Sequence, residues 1–140
     1  MADSIIVSRE ATALSKPMQS AVTKMFDESV INDTIVEQLT YRSRDNLKIN
    51  GYIARPKKHG RYPVLIWNRG GYKDRGALDD LRAHLILAST AVWGYVVLAT
   101  QYRGNMGSEG EEDWGGKDLD DSLRLIDVTA EIESADESNM

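Results

Sequence analysis

Apolar and polar positions change their spacing repeatedly along the chain, and each change marks an element. After Pro17, Met18, Val22, Met25 and Phe26 recur at helical intervals among Ser, Thr, Lys and Asp, which predicts a short amphipathic helix near 17–28. It lies in an otherwise polar, partly helical amino-terminal extension, residues 1–34. From Ile35 the period drops to two. IVEQLTYRS and LKINGYIARP alternate apolar with polar side chains, and Asp45-Asn46 between them offer turn chemistry, so the pair reads as a hairpin of half-exposed strands. PVLIWN (63–68) and YVVLATQY (95–102) do not alternate; such unbroken runs of β-formers are how strands buried on both faces of a parallel sheet read. Between them, ALDDLRAHLILASTAVWG places Leu78, Leu81, Leu85, Leu87, Ala91 and Val92 on a helical stripe closed by Gly94. DLDDSLRLIDVTAEI does the same with Leu119, Leu123, Ile126 and Val128, and the closing ESADESNM is polar and announces neither helix nor strand.

Strand, helix, strand, helix implies a parallel sheet with crossover helices, here joined to an antiparallel hairpin, so the fold class is α/β. A chain of 140 residues holds one domain or part of one, and residues 35–140 carry it. Hydrophobic residues at 41% and charged residues at 28% are ordinary for a globular chain, which excludes wholesale disorder and fibrous repeats. No apolar run approaches the ~18 residues of a membrane helix, and MADSIIVSRE carries acids where a signal peptide carries bases, so a cytoplasmic protein without membrane partners is expected. With no cysteine there is no disulfide, thiolate zinc site or cysteine nucleophile, and His59 and His84 alone make a poor metal set. No metal and no other cofactor is expected.

The net charge of -5 is unevenly spread: residues 1–106 carry 15 basic and 10 acidic side chains, residues 107–140 carry 2 and 12. An acidic last quarter, with the bases elsewhere scattered among apolar residues, argues against a nucleic-acid surface.

Chemistry concentrates in two loops that follow the buried runs, at the carboxyl ends of parallel strands where ligands of open α/β sheets gather. In the first, Asn68-Arg69-Gly70-Gly71, successive glycines let backbone N–H groups face a developing oxyanion, and Arg69 adds a positive charge; a tight strand-to-helix turn explains the glycines equally well. The second runs from Gln101 to Asp118. It lacks both a Walker lysine pattern and Gly-x-Gly-x-x-Gly, and Glu109, Glu111, Glu112 and Asp113 repel phosphate. Met106-Gly107-Ser108-Glu109-Gly110 falls short of a nucleophile elbow, because Met106 replaces its first glycine, so Ser108 reads as a loop serine. Asp118, Asp120 and Asp121 suit the solvated start of a helix. Both histidines read as structural or solvated.

The succession PVLIWNRGGY, helix, VVLATQYRGNMGSEGEEDWGGKDLDDSLRLID resembles the first half of the catalytic domain of prolyl oligopeptidase-family serine peptidases, in the α/β-hydrolase superfamily. The resemblance covers roughly residues 36–138. It implies that Arg69, Gly70 and Gly71 form part of an oxyanion hole, with Arg69 in place of the usual hydroxyl or imidazole donor, and that Arg103-Gly104 support the site from beneath. It also implies a partial α/β-hydrolase sheet truncated before the nucleophile strand, because no serine elbow, triad Asp or triad His follows. An amino-terminal serine-hydrolase fragment, inactive alone and acting on peptide or ester bonds when completed, is the leading expectation. The alternatives are an esterase or dienelactone-hydrolase-like enzyme, a shortened non-catalytic product that binds a partner, and an unrelated small-molecule-binding α/β domain. In the resembled strand order PVLIW is an inner strand left bare on one side, so self-association or a partner chain at that exposed sheet edge is expected.

Overall fold

The computed structural model describes residues 3–140. Six strands form one sheet in the order β1-β2-β3-β5-β4-β6. They are β1 (Ile6–Ala11), β2 (Thr34–Arg42), β3 (Lys48–Pro56), β4 (Tyr62–Trp67), β5 (Val96–Thr100) and β6 (Ala135–Asp136). The hairpin β2–β3 pairs along its whole length, from Thr34↔Pro56 to Arg42↔Lys48, and Asn46 closes its turn at φ 67°. β3 continues the sheet antiparallel to β5, whereas β4 runs parallel to β5 on one side and to β6 on the other.

Alternation on the strands divides the core into two layers. Val36, Tyr52, Ala54, Val97 and Ala99 meet helices α1 (Lys16–Met25) and α2 (Ser29–Asn32), together with the broken helix α3 (Asp80–Ala83) and α4 (Ser89–Ala91). On the opposite face Leu39, Ile53, Val64, Val96 and Leu98 meet Leu125 and Val128 of α5 (Lys117–Val128) and Ile132 behind it. Local chemistry fixes the helix starts. Ser15 accepts from Met18 N–H with Pro17 in the first turn of α1, and Asp79 accepts from Arg82 N–H at 2.8 Å to cap α3. A π-helical stretch, His84–Ala88, separates α3 from α4. It shifts the helical register, so Ala83, His84, Leu87, Ala88 and Ala91 are buried, whereas Leu81, Leu85 and Val92 are only half-buried.

Several elements depart from the sequence expectations. The amino-terminal segment supplies an edge strand: β1 pairs antiparallel with β2 (Arg9↔Leu39), and the Glu131 carboxylate accepts from the N–H groups of Ile5 and Ile6 at 2.7 and 3.1 Å. In α1 only Val22 is buried, and Met25 and Phe26 stand in solvent. β3 is not half-exposed, because Gly51 to Ala54 are buried between β2 and β5. Of the two apolar runs, β5 is buried throughout, but in β4 only Val64 is. The polar tail does make a strand, β6, whose pairing is Tyr62↔Ala135 and Pro63↔Asp136. In α5 the inward face is Asp118, Asp121, Ser122, Leu125 and Val128, and the stripe Leu119, Leu123 and Ile126 faces outward.

Candidate active site

Because β4 and β5 are parallel, with Ile66 opposite Leu98, their carboxyl ends open on the same edge and the loops after them lie side by side. Polar contacts lock the two loops together. The buried Gln101 amide accepts from Leu78 N–H at 3.1 Å and donates to Leu78 C=O at 2.6 Å, a side-chain imitation of one sheet rung. Met106 N–H donates to the Asp74 carboxylate at 3.0 Å, and Tyr72 stacks on Trp114 with ring centroids 4.6 Å apart. The second loop is fastened in turn to the hairpin: Ser108 Oγ accepts from Asn50 N–H at 2.9 Å, and Asn50 Nδ2 donates to Met106 C=O at 2.9 Å. Ser108 is thus a brace between loop and sheet.

The three residues singled out for the oxyanion fall out differently. Arg69 is 7% exposed and its guanidinium turns into its own loop, donating to Lys73 C=O; Nε and Nη1 are buried without partners. Burial lowers its pKa against the fields of Glu112, Tyr102 and Asp74. Gly71 is a turn residue at φ 95°, where a Cβ would sit 1.9 Å from Arg75 O. Gly70 is exposed, and a Cβ there would meet no atom within 4 Å. Gly70 and Gly71 are both exposed, and of the two only Gly70 leaves free space where a Cβ would stand.

Asn68, already part of the candidate loop, is joined at this corner by Tyr102 and Ser122, whose part in it the sequence did not show. Asn68 is exposed at the tip of β4, and its Oδ1 accepts from Tyr102 Oη at 3.1 Å and from Ser122 Oγ at 2.5 Å. Tyr102 stands at φ 66°, directly after β5. The sequence offers one signal for Asn68, its place immediately after a parallel strand, and none for the hydroxyls that fix its amide.

Beneath the loops Arg103 is the central tie. Its Nε and Nη2 donate to the Asp121 carboxylate at 3.0 and 2.8 Å, its backbone N–H donates to the same group at 2.9 Å, and Nη1 and Nη2 reach the Asp45 carboxylate at 2.9 and 3.0 Å. The support expected of Arg103 is therefore a bidentate link from loop to helix and from loop to hairpin turn. The bond to Asp121 holds the Arg103 pKa above its usual range, with burial opposing it. Asp121 is fully buried and Asp118 nearly so, accepting from Gly115 N–H at 2.9 Å, which corrects the solvated reading for both; Asp120 is half-buried and paired with Arg44. The hydrogen bonds from Arg103, then from Ser43, hold the Asp45 carboxyl well below the usual carboxylate range.

A carboxyl whose folded pKa is depressed stabilises the fold above its unfolded pKa of about 3.9, and that stability is lost as pH falls through the folded value. The advantage of the native protein over Asp45→Asn, measured by urea denaturation, is therefore expected at pH 6 and shrinks progressively below pH 4. The difference stays modest because the Asp45 side chain is 42% exposed. A difference independent of pH would refute this role.

Among the described residues neither histidine is hydrogen-bonded to a serine, although His59 and Ser134 line one cavity. His84 is buried, its Nδ1 2.7 Å from Asp80 O, and His59 lines a cavity of about 210 Å³ with Arg55 and Glu133 behind the opposite ends of the strands. Among the described residues no three His, Asp or Glu side chains converge as a metal site, and no helix is long and apolar enough to cross a membrane.

The family model for the X-Pro dipeptidyl-peptidases, S15 family, matches residues 45–136. The uncharacterized peptidase YtmA of Bacillus subtilis (strain 168) is 37% identical over 79 residues, which span 56% of this chain and 29% of that protein. The uncharacterized peptidase YuxL of the same organism is 29% identical over 122 residues, 80% of this chain and 18% of that protein. The chain therefore spans less than a third of either relative. Among solved structures, an acetyl xylan esterase from Paenibacillus sp. R4 superposes with a TM-score of 0.60 at 19% identity, covering 91% of this chain and 42% of that one. An alpha-amino acid ester hydrolase superposes with a TM-score of 0.55 at 20% identity, covering 75% and 20%. The fold is that of a partial α/β-hydrolase, with β5, β4 and β6 forming its parallel part.

Proposed function

The chain belongs to the S15 X-Pro dipeptidyl-peptidase family, and from that premise we propose that it supplies the oxyanion-loop half of a serine hydrolase that cleaves peptide bonds, or esters, through an acyl-enzyme. The observation that carries this reading is the open backbone at Gly70, on the loop after a parallel strand and beside the fixed amide of Asn68. As a serine oxygen adds to the substrate carbonyl carbon, the carbonyl oxygen becomes an oxyanion. The Gly70 corner and Asn68 Nδ2 meet it with donors whose orientation is set beforehand. Collapse expels the amine or alcohol, which takes a proton from the general acid, and water then releases the acyl group. One such donor is worth about 10²–10³ in rate. Arg69 shapes the loop rather than touching the oxyanion.

On this reading the serine, its base and the orienting acid are not among residues 3–140, and the 140-residue chain alone is expected to be inactive. Release of an X-Pro dipeptide is the specificity the family's description suggests; a prolyl oligopeptidase-type endopeptidase is the narrower reading suggested by the Arg103-Gly104 loop. An esterase is the alternative that the fold equally accommodates.

The test compares the protein as isolated from its source with the recombinant 140-residue chain. Isolated material is expected to react with a fluorophosphonate and to release p-nitroaniline from an X-Pro anilide, and the recombinant chain to do neither. Source material inert to fluorophosphonate overturns the proposal, and turnover of p-nitrophenyl acetate but not of the anilide shifts it to the esterase.

A further inference from the structure

At the strand ends opposite the candidate active site, the cavity of about 210 Å³ is lined by Arg9, Arg55, Lys57, Lys58, Glu133 and Ser134 among others. Four parts of the chain build it. Arg9 comes from β1 and Arg55 from the end of β3, the two lysines lie in the turn that enters β4, and Glu133 and Ser134 lie in the turn that enters β6. The lysine turn is held in place, because Lys57 N–H donates to Asp33 C=O and Tyr62 Oη donates to Lys58 C=O, both at 2.8 Å. On β2, between the two arginines, the largely buried Glu37 grips one edge of each guanidinium: its Oε2 accepts from Arg9 Nη2 at 2.6 Å and from Arg55 Nε at 3.3 Å. Among the described residues nothing accepts from Arg9 Nη1 or from Arg55 Nη1 and Nη2. A guanidinium fixed along one edge presents the other in a set plane, which suits two oxygens of one anion.

Orphaned polar atoms gather at the same place. Among the described residues four buried side-chain N or O atoms lack a hydrogen-bond partner; two belong to Arg69, and the other two, Arg9 Nε and Ser134 Oγ, belong to residues that line this cavity. Buried polar atoms are nearly always satisfied, so two orphans at one small cavity call for a partner from outside the chain. Charge says which kind. The cations Arg9, Arg55, Lys57 and Lys58 face the carboxylates of Glu37 and Glu133, which leaves a surplus of two positive charges, and neither lysine is in an ion pair among the described residues. The volume falls below the roughly 300–1,000 Å³ of pockets for larger organic ligands, so the ligand is small. We propose that this cavity binds a phosphate dianion, free or as the end group of a small phosphate monoester, between the open edges of Arg9 and Arg55. Lys57 and Lys58 close over it, and a turn of the Ser134 side chain brings its hydroxyl to a phosphate oxygen. Such an anion ties β1 to the turns that enter β4 and β6 and stabilises the folded chain by mass action. The site owes nothing to the chemistry proposed at Asn68 and Gly70.

The experiment titrates potassium phosphate into the full chain, isolated from its source cells, by calorimetry at constant ionic strength and about pH 8, where phosphate is a dianion. The expected result is one saturable site with a Kd of about 1 mM or tighter. Arg55→Gln is expected to weaken it at least about ten-fold, the loss of a charged, planar donor pair. Because that change also takes a partner from Glu37, the double variant Lys57→Gln, Lys58→Gln, at exposed positions that leave the fold intact, is measured beside it and is expected to weaken binding about five-fold. Glu133→Gln, also exposed, removes the one carboxylate that lines the cavity and is expected to tighten binding about two-fold. Glycerol phosphate bound more tightly than inorganic phosphate assigns the site to a monoester, and the reverse order assigns it to the free ion; either result supports the proposal. Failure to saturate, affinities unchanged in all three variants, or malonate bound more tightly than phosphate overturns it.

Discussion

Asp121→Ala is expected to cost about 3–5 kcal/mol, the range for removing one member of a buried, hydrogen-bonded ion pair. Single domains hold only about 5–15 kcal/mol in total, so much of the population should be unfolded in mild urea. The cost is large because three donors lose their acceptor together: Arg103 N–H, Nε and Nη2 all point at the Asp121 carboxylate, which is wholly buried. Asp45 cannot replace it, since it holds the other edge of the guanidinium from the solvent side. The backbone around Asp121 is also tied down, its carbonyl accepting from Tyr41 Oη at 2.7 Å. Arg103→Met combined with Asp121→Leu is expected to recover part of the loss by removing both charges, but not all, because the Arg103 N–H and Asp45 still lack their partners. Urea denaturation with tryptophan fluorescence measures both variants. A loss below about 1 kcal/mol for Asp121→Ala would show that water reaches the site and that the pair is not a structural tie.

The pair also shows where sequence reading stops. Parallel pairing of the two apolar runs, the hairpin and the meeting of two loops on one sheet edge were all legible, because hydrophobic period and turn residues encode them directly. Helix α5 was legible as a helix but its face was misread. Leu119, Leu123 and Ile126 outnumber Leu125 and Val128 in apolar weight, yet the helix buries Asp121 and Ser122 because Arg103 and Asn68 wait on the inner side. A residue-by-residue hydrophobicity pattern cannot rank a buried carboxylate above an exposed leucine; only the partner across space does that. The π-helical stretch from His84 to Ala88 hid the register of the preceding helix in the same way. β6 was missed because its two residues are held by the edge of β4 rather than by any strand propensity of their own. In the candidate site the glycines announced the turn after β4, but the direction of Arg69 depended on Lys73 C=O four residues on, which spacing alone does not reveal.

Adjacent glycines in that loop should respond in opposite ways to the same added methyl group. Gly71→Ala places a Cβ 1.9 Å from Arg75 O and 2.9 Å from its carbonyl carbon, at φ 95°, and Gly76 pins the other side because its own Cα leaves only 2.6 Å between a Cβ and Gly70 O. The left-handed conformation alone costs about 1–2 kcal/mol for a residue with a Cβ, and a backbone oxygen at such a distance cannot be avoided by a rotamer change. The loop must open, and the expected loss exceeds about 2 kcal/mol. Opening also separates Tyr72 from Trp114 and Lys73 N–H from Glu112, so a change in tryptophan emission should accompany the lower melting temperature. Gly70→Ala meets nothing within 4 Å, and its backbone is not left-handed, so its stability should stay within about 0.5 kcal/mol of the native chain or rise slightly as the unfolded state loses freedom. Under the proposed function that methyl group stands where the oxyanion forms, and serine-hydrolase activity is expected to fall while the fold is kept. Equal melting temperatures for Gly71→Ala and the native chain would mean that the loop is not held shut by Gly71 and Gly76, and the fixed position of the Gly70 backbone would lose its physical basis.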